Sequence, residues 1–525
     1  MRNAVYSQKN FKVVLWPAGS TFIDDLSSFQ QDLFAYTNGH FLVDEEHQFS
    51  RRYVRFNLDA LRNTAATAGG DSSRVIAIDK MEGGFSKAFL MKKADGMEVI
   101  AKVPCRIAGS PSLTTAGEVG VLELRRHTSI PVPRVLSWSS DSSNAVGVEY
   151  IIMEKAAGVP LFQQWSNMTE FEKLQLIKNL TKLEAQLLAV RFPAYGGLYL
   201  RTDMSRLNRP LDSDIDPSQS FCIGPSCDRS FNTELNLEFN QGPCALLATF
   251  TGDSISSFGL SIAERELIRI PSDHQRGRPS FYKGTSEQQV QLLETTNPTL
   301  RHTDLHMGKI FVAPDECSRI VSLIDFQSTS ILPAFLQAQW PIFLKHLPNY
   351  NYARGIFQPK LPDNFDELDE ESKVIASREW SQVKLAKAYE ISTYLENRAA
   401  HDAMNVPCVF RELFTWCGEV SEVGIVPFHA CLIEIFQNWS SLGFTGKCPY
   451  SFNQEEFAEY QAWHEVQALA EECLDTDAEG WIAPQLDINE KRRHNEELMA
   501  LYIKKVTGEK SADEAKAMWL FSGEG

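Results

Sequence analysis

The sequence predicts an α+β chain of two lobes, a small β-rich one and a larger, mostly helical one, with extra helices toward the C-terminus. Three observations point there. Short strand-like runs between 75 and 103 end in a lysine enclosed by apolar residues, Val99-Ile100-Ala101-Lys102-Val103. A helical stretch follows, with Leu174, Ile177, Leu180, Leu183 and Leu187 at spacings of three and four. Farther on, two carboxylates, Asp304 and Asp325, flank a hairpin-like pattern.

Composition bounds the function classes. A chain of 525 residues has room for about two to four domains. The balance of 51 basic against 68 acidic residues, a formal charge of -17, argues against nucleic acid held on a broadly basic surface and leaves only a local basic pocket open. No apolar run is long enough for a membrane span. The ten cysteines form no paired set with zinc spacing, and Cys222 and Cys227 read as reduced thiols of an intracellular protein.

Residues 1–70 read as an extension. Arg2, Lys9 and Lys12 precede the first acid, Asp24, a start that fits a mitochondrial transit peptide and equally an unstructured terminus in the cytoplasm. A short helix is expected over Phe29 to Thr37, a turn at Asn38-Gly39 and a second helix from Leu58 to Ala68.

The small lobe is expected over 71–153. Val75 to Ile78 leads into the turn Glu82-Gly83-Gly84-Phe85, then Ala88 to Met91, a turn at Asp95-Gly96, and the lysine strand. A lysine among apolar residues is costly unless paired. Glu118, in the helix opening at Thr115, is the partner at hand, although Thr115 and Glu118 also fit a capping box. Val146 to Met153 reads as a strand and Glu154 to Gly158 as a short linker. Strand, glycine turn, strand, lysine strand, helix, strand and linker is the order of a nucleotide-binding lobe hinged to a larger one, the two-lobed arrangement of protein kinases.

The second lobe is expected over 154–347, with a loop-rich insertion at about 201–275. Its central stretch is His302-Thr-Asp304-Leu-His306-Met-Gly-Lys309, followed by Ile310 to Val312, a turn at Pro314, a strand from Arg319 to Ile324, and Asp325. The hairpin brings Asp304 and Asp325 to one end. Phosphoryl transfer needs such a pair, one carboxylate on the acceptor hydroxyl and the other on Mg2+. In the H-x-D-x-x-x-x-N spacing, Lys309 stands where the metal-binding asparagine is expected. Residues 348–525 read as a helical region with segments at Asp363 to Glu396, Glu455 to Glu472 and Asn489 to Ile503.

These ordered segments, with Ser129 to Val135, Tyr150 to Glu154 and Cys222-Ile223-Gly224-Pro225, resemble the fungal aminoglycoside-phosphotransferase-like (phosphotransferase enzyme) family, and within it the altered inheritance of mitochondria protein 9 group. The resemblance implies a protein-kinase-like fold that binds ATP and Mg2+. It implies Lys102 as phosphate-binding lysine, Glu118 as its ion-pair partner, Asp304 as catalytic base and Asp325 as magnesium ligand. It also places adenine against the backbone around Glu154 and Ala156, and phosphate against Gly83 and Gly84. The expected partners are nucleotide and an unidentified small-molecule acceptor, and the expected location is the mitochondrion. Lys309, an ammonium beside the nucleotide phosphates, divides two functions: an ATP-dependent phosphotransferase acting on a small-molecule hydroxyl, and a pseudokinase that binds nucleotide with little or no turnover.

Overall fold

The computed structural model describes residues 14–15, 31–70, 72–203, 209–229, 254–269, 297–345, 358–420, 425–454, 456–458, 460–461, 476, 480–506, 511, 516, 519 and 521. The chain opens with strands β1 (Val14–Leu15) and β2 (His40–Phe41) and helices α1 (Glu45–Arg52) and α2 (Leu58–Thr67). Leu58, Leu61 and Ala65 give α2 a buried face, and the Asn57 side chain caps it by accepting from the Ala60 amide at 3.1 Å.

The small lobe follows as β3 (Val75–Glu82), β4 (Ser86–Lys93), β5 (Glu98–Pro104), helix α3 (Leu113–Glu123), β6 (Val135–Ser139) and β7 (Tyr150–Glu154). These strands and β1 form one antiparallel sheet in the order β1-β3-β4-β5-β7-β6. Gly96, at φ 88, supplies the left-handed position of the β4–β5 turn. Lys93 is buried where α2 ends and donates to the Ala68 carbonyl at 2.6 Å, which satisfies both groups. Val99, Ala101 and Val103 on β5 pack with Phe89, Met91 and Ile152 in the lobe's core.

The large lobe carries β8 (Val159–Pro160), helix α4 (Glu170–Ala189), β9 (Gly197–Leu200), β10 (Arg209–Pro210), β11 (Phe221–Gly224), helix α5 (Ile255–Arg269), β12 (Pro298–Leu300), β13 (Ile310–Val312), β14 (Ile320–Leu323) and β15 (Ile331–Pro333). Thr169 and Glu172 form a capping box at the start of α4, whose Ile177, Leu180 and Leu187 lie in the large-lobe core. Strands β13 and β14 pair antiparallel with Ile310 opposite Leu323, the expected hairpin. The stretch 201–275 differs from its loop-rich expectation: its described part holds β10, β11 and α5. Phe258 and Ile262 of α5 pack against Tyr195 and Phe414.

Helices α6 (Glu370–Glu396), α7 (Arg398–Met404), α8 (Cys408–Cys417) and α9 (Val426–Gln437) follow, and Leu385, Tyr389, Ala403 and Met404 of α6 and α7 join the core that holds α4. The helix expected at Glu455 to Glu472 lies largely outside the described residues. Strand β16 (Trp481–Ile482) and helix α10 (Ile488–Val506) return to the N-terminal extension, where β16 pairs with β2. Among the described residues, no helix is long and apolar enough to cross a membrane.

Candidate active site

Strand alternation aims the lysine. With Val99, Ala101 and Val103 turned to the small-lobe core, Ile100 and Lys102 face the large lobe. The Lys102 ammonium donates to both Glu118 oxygens at 2.7 and 2.8 Å and to Oδ1 of Asp325 at 2.5 Å. Lys102 and Glu118 are 6% and 2% exposed, so neither is a solvated surface charge. Burial opposes the ammonium, but Asp325 and Glu118 outweigh it and raise the Lys102 pKa.

The capping-box alternative for Glu118 fails. Helix α3 starts at Leu113, its N-cap is Ser112, and Glu118 spends its carboxylate on Lys102. Helix α3 also lies very close to β9: a Cβ on Gly120 would stand 2.3 Å from the Leu198 carbonyl oxygen.

Asp325 follows β14 in the left-handed region, at φ 66, a conformation that costs a non-glycine residue about 1–2 kcal/mol. It is held there by the Ile324 amide donating to the Lys309 carbonyl at 3.1 Å. Lys309 donates to Oδ2 of Asp304 at 2.5 Å and lies 2.8 Å from Oδ2 of Asp325. Burial again opposes the ammonium, and Asp325 and Asp304 raise its pKa. Asp325 feels burial in the opposite sense, yet Lys102 and Lys309 hold its carboxyl well below the usual range. The result is an unbroken ionic chain, Glu118–Lys102–Asp325–Lys309–Asp304, from the buried base of α3 to an Asp304 side chain that is 73% exposed.

His302 braces the loop. Its ring lies 4.6 Å from that of Phe326, and Nε2 donates to the Ile324 carbonyl at 2.9 Å. Burial, aided by the Lys309 charge, pushes its pKa down to about 4, so the ring is neutral and Nδ1 is a buried acceptor without a partner among the described residues. Arg301 anchors the same loop from behind, donating to Glu184 on α4 at 2.9 Å and to the Gln339 carbonyl at 3.0 Å. Tyr389 on α6 joins them, accepting from Arg301 and donating to Glu184.

On the opposite side, Gly83 and Gly84 form the β3–β4 turn. Among the described residues, a Cβ at Gly84 would meet nothing within 4 Å and one at Gly83 only the Ser86 carbonyl at 3.9 Å, which leaves this face of the turn room for a close ligand. Arg52, 1% exposed, fixes the turn by donating to the Gly84 carbonyl at 3.1 Å. At the hinge, Glu154 pairs with Arg134 at 3.0 Å and its amide donates to the Arg134 carbonyl, while Ala156 is half-buried just beyond β7.

The structure therefore brings Lys102, Glu118, Asp304, Lys309 and Asp325 into one cluster, with Gly83, Gly84, Glu154 and Ala156 on the small lobe's turn and hinge. Sequence reasoning passed over Arg52 and Arg301, because both sit in polar, charged surroundings along the chain and nothing local marks either as buried.

No family model matches the chain. A subtelomeric hrmA-associated cluster protein of Aspergillus fumigatus is 31% identical over 462 residues, covering 77% of this chain and 88% of the relative. The mitochondrial altered inheritance of mitochondria protein 9 of Scheffersomyces stipitis is 22% identical over 427 residues, covering 66% of this chain and 65% of the relative. Among solved structures, a Ralstonia eutropha protein described as an aminoglycoside phosphotransferase aligns at 13% identity and TM-score 0.35, over 78% of this chain and 94% of its own. A fructosamine-3-kinase-like protein of Thermobifida fusca aligns at 13% identity and TM-score 0.31, over 72% and 97%. Superpositions that loose add nothing to the fold, which rests on the elements above. The chain belongs to the same family as the Aspergillus fumigatus cluster protein, has a two-lobed kinase-like fold, and is more distantly similar to the altered inheritance of mitochondria protein 9 group.

Proposed function

We propose that the protein is an ATP-dependent phosphotransferase that passes the terminal phosphoryl group to a hydroxyl of a small molecule. The observation that carries this is the Lys102 ammonium shared between Glu118 of the small lobe and Asp325 of the large one, at 2.7 and 2.5 Å. A buried cation poised between the lobes is what a triphosphate requires. In this reading the lobes are 71–153 and 154–347, with 1–70 an extension and 348–525 a helical addition. Lys102 holds phosphate oxygens with Glu118 as its orienter, the turn at Gly83 and Gly84 covers them, and the backbone at Glu154 and Ala156 meets adenine. Asp304, exposed at the end of the ionic chain, orients the acceptor hydroxyl and takes its proton.

The donor set fits a single Mg2+. Asp325 and Asp304 offer carboxylate oxygens, but the position that would complete a second site is the Lys309 ammonium. Asp325 would hold the ion, which when bound neutralises charge on the phosphates. Lys102→Met is expected to weaken ATP binding, measured by calorimetry, by about tenfold or more, the scale of one charge-assisted hydrogen bond. Unchanged affinity would remove Lys102 from the site.

One observation favours the second reading, a nucleotide-binding pseudokinase. Lys309 ties up the proposed base, Asp304, at 2.5 Å, while sharing Asp325. A carboxylate held by an ammonium is less free to turn to an acceptor hydroxyl, and a flexible ammonium positions a phosphoryl group less well than a metal ion. Lys309→Asn is therefore expected to raise turnover by on the order of tenfold or more, and Asp304→Asn in that background to abolish the gain. A brisk natural enzyme that slows on Lys309→Asn would show that the lysine does the metal's task. Mitochondrial residence is part of the proposal, supported by the acid-free first 23 residues and by relatives named as mitochondrial. A reporter fused to residues 1–40 that stays diffuse would count against it.

A further inference from the structure

The segment following β11 delivers a cation to the glycine turn. The guanidinium carbon of Arg229 lies 3.6 Å from the ring centre of Phe85, the residue after Gly83-Gly84. Arg229 is exposed, and among the described residues no acidic side chain pairs with it. Stacking on an aromatic face seats a guanidinium without using its N–H donors, which stay available to a planar anion.

The root of Arg229 is fixed on the walls of the cleft. The Tyr199 hydroxyl donates to the Pro225 carbonyl at 2.5 Å, and the Cys227 amide donates to Ser330 Oγ at 3.1 Å. The Cys227 thiol donates to the Thr329 carbonyl at 3.2 Å, four residues past Asp325. A Cβ on Gly117 would come within 2.9 Å of Cys227 Sγ, so the segment lies directly on the helix that carries Glu118. Residues 225–229 thus touch the helix of Glu118, the loop after Asp325 and, through Arg229, the glycine turn.

Charge in the cleft calls for such a group. Glu118, Asp304 and Asp325 against Lys102 and Lys309 leave one negative charge uncompensated before any phosphate enters. With Lys309 in place of a metal ligand the site keeps one metal ion where two would otherwise sit, and the turn on which Arg229 is stacked is the element that covers phosphates in this class of fold.

We propose that Arg229 is a phosphate-binding residue that engages the terminal phosphoryl group of the nucleotide from within the same chain. A guanidinium suits that group because its fork matches two phosphoryl oxygens at once. The proposal rests on the nucleotide reading above and adds a residue, from the insertion, that distinguishes triphosphate from diphosphate.

Calorimetric titration of the full-length protein with ATP and with ADP, each with Mg2+, tests it. The natural protein is expected to prefer ATP. Arg229→Gln should lose on the order of tenfold to a hundredfold in ATP affinity, the worth of one charged hydrogen-bonded contact, with ADP affinity unchanged. Arg229→Lys should keep part of the preference, having the charge without the fork. An ATP-to-ADP ratio that Arg229→Gln leaves unaltered overturns the proposal, as does an equal loss for both nucleotides. If Lys102→Met loses both nucleotides while Arg229→Gln loses neither, the failure belongs to Arg229 alone. A natural protein that binds neither nucleotide overturns the proposal through its premise.

Discussion

At the scale of single residues, the cleft is governed by which charges are paired and which group is kept neutral. His302 is the neutral one. An unfolded imidazole takes a proton near its ordinary value of 6.5, whereas in the folded chain burial holds the pKa down to about 4. Between those values the unfolded state binds more protons, so stability falls as pH falls from 6.5 to 4, by on the order of 3 kcal/mol for this group. His306, also pushed down by burial, loses stability in the same direction as pH falls below 6.5. Asp325 acts lower: its depressed pKa confers stability that is lost only as pH drops below the ordinary 3.8. Thermal unfolding from pH 7 to 4 should therefore show a shallower slope for His302→Gln than for the natural chain. Equal slopes would mean that His302 titrates normally in the folded state. The need of Lys102 for a carboxylate was legible in the sequence, because a lysine in a buried strand cannot stay unpaired. That Asp325 is a second partner was not legible, since the two lie 223 positions apart in the chain.

At the scale of elements, the strands and long helices that position the site could be read from apolar periodicity, as α4 and the β13–β14 hairpin show. What could not be read is fixed by contacts distant in sequence. Strand β6 has a half-buried residue at every position and so lacks the alternation that marks a strand, and it forms by pairing with β7. Helix α5 sits in a stretch whose Ser, Asp and Pro residues read as loop, and its apolar face is satisfied by α8. Helix α3 holds a further case, because Gly120 looks like a defect in a helix and is the point where the helix touches β9. Gly120→Ala gains about 1 kcal/mol of helix propensity. It also drives a methyl group to 2.3 Å from the Leu198 oxygen and 2.8 Å from its carbonyl carbon, both backbone atoms that cannot rotate away. Overpacking of that kind costs about 1–3 kcal/mol, so the net effect should be a lower melting temperature. Glu118 rides on the same helix, and nucleotide affinity should fall with it. A variant that melts higher and binds unchanged would show that α3 can slide along β9.

At the scale of the whole molecule, residues 38–42 and 481–492, far apart in sequence, meet behind the glycine turn. Strand β16 pairs with β2, Trp481 donates to the Asn38 carbonyl at 2.9 Å, and Arg492 on α10 donates to the Phe41 carbonyl at 2.8 Å. Phe41 in turn packs against Arg52, whose guanidinium carbon lies 4.5 Å from the ring centre and whose Nε reaches the Gly84 carbonyl. Asn38 also donates to the Glu82 carbonyl at 2.9 Å, at the first residue of the turn. The clasp thus runs from residue 481 to the phosphate-covering turn through two short steps of packing and hydrogen bonding. A turn held this way has less freedom to lose when it orders around a ligand. Trp481→Ala removes the indole donor and its packing on the extension while touching nothing in the cleft. Hydrogen exchange should then quicken at the amides protected by the turn's hydrogen bonds, that of Gly83, which donates to the Ser86 carbonyl, and that of Cys105, which donates to the Phe85 carbonyl, as well as at residues 36–42. Faster exchange confined to 36–42, with Gly83 and Cys105 as protected as before, would mean that Arg52 alone secures the turn and that the clasp serves only to tie residues 36–42 to β16 and α10.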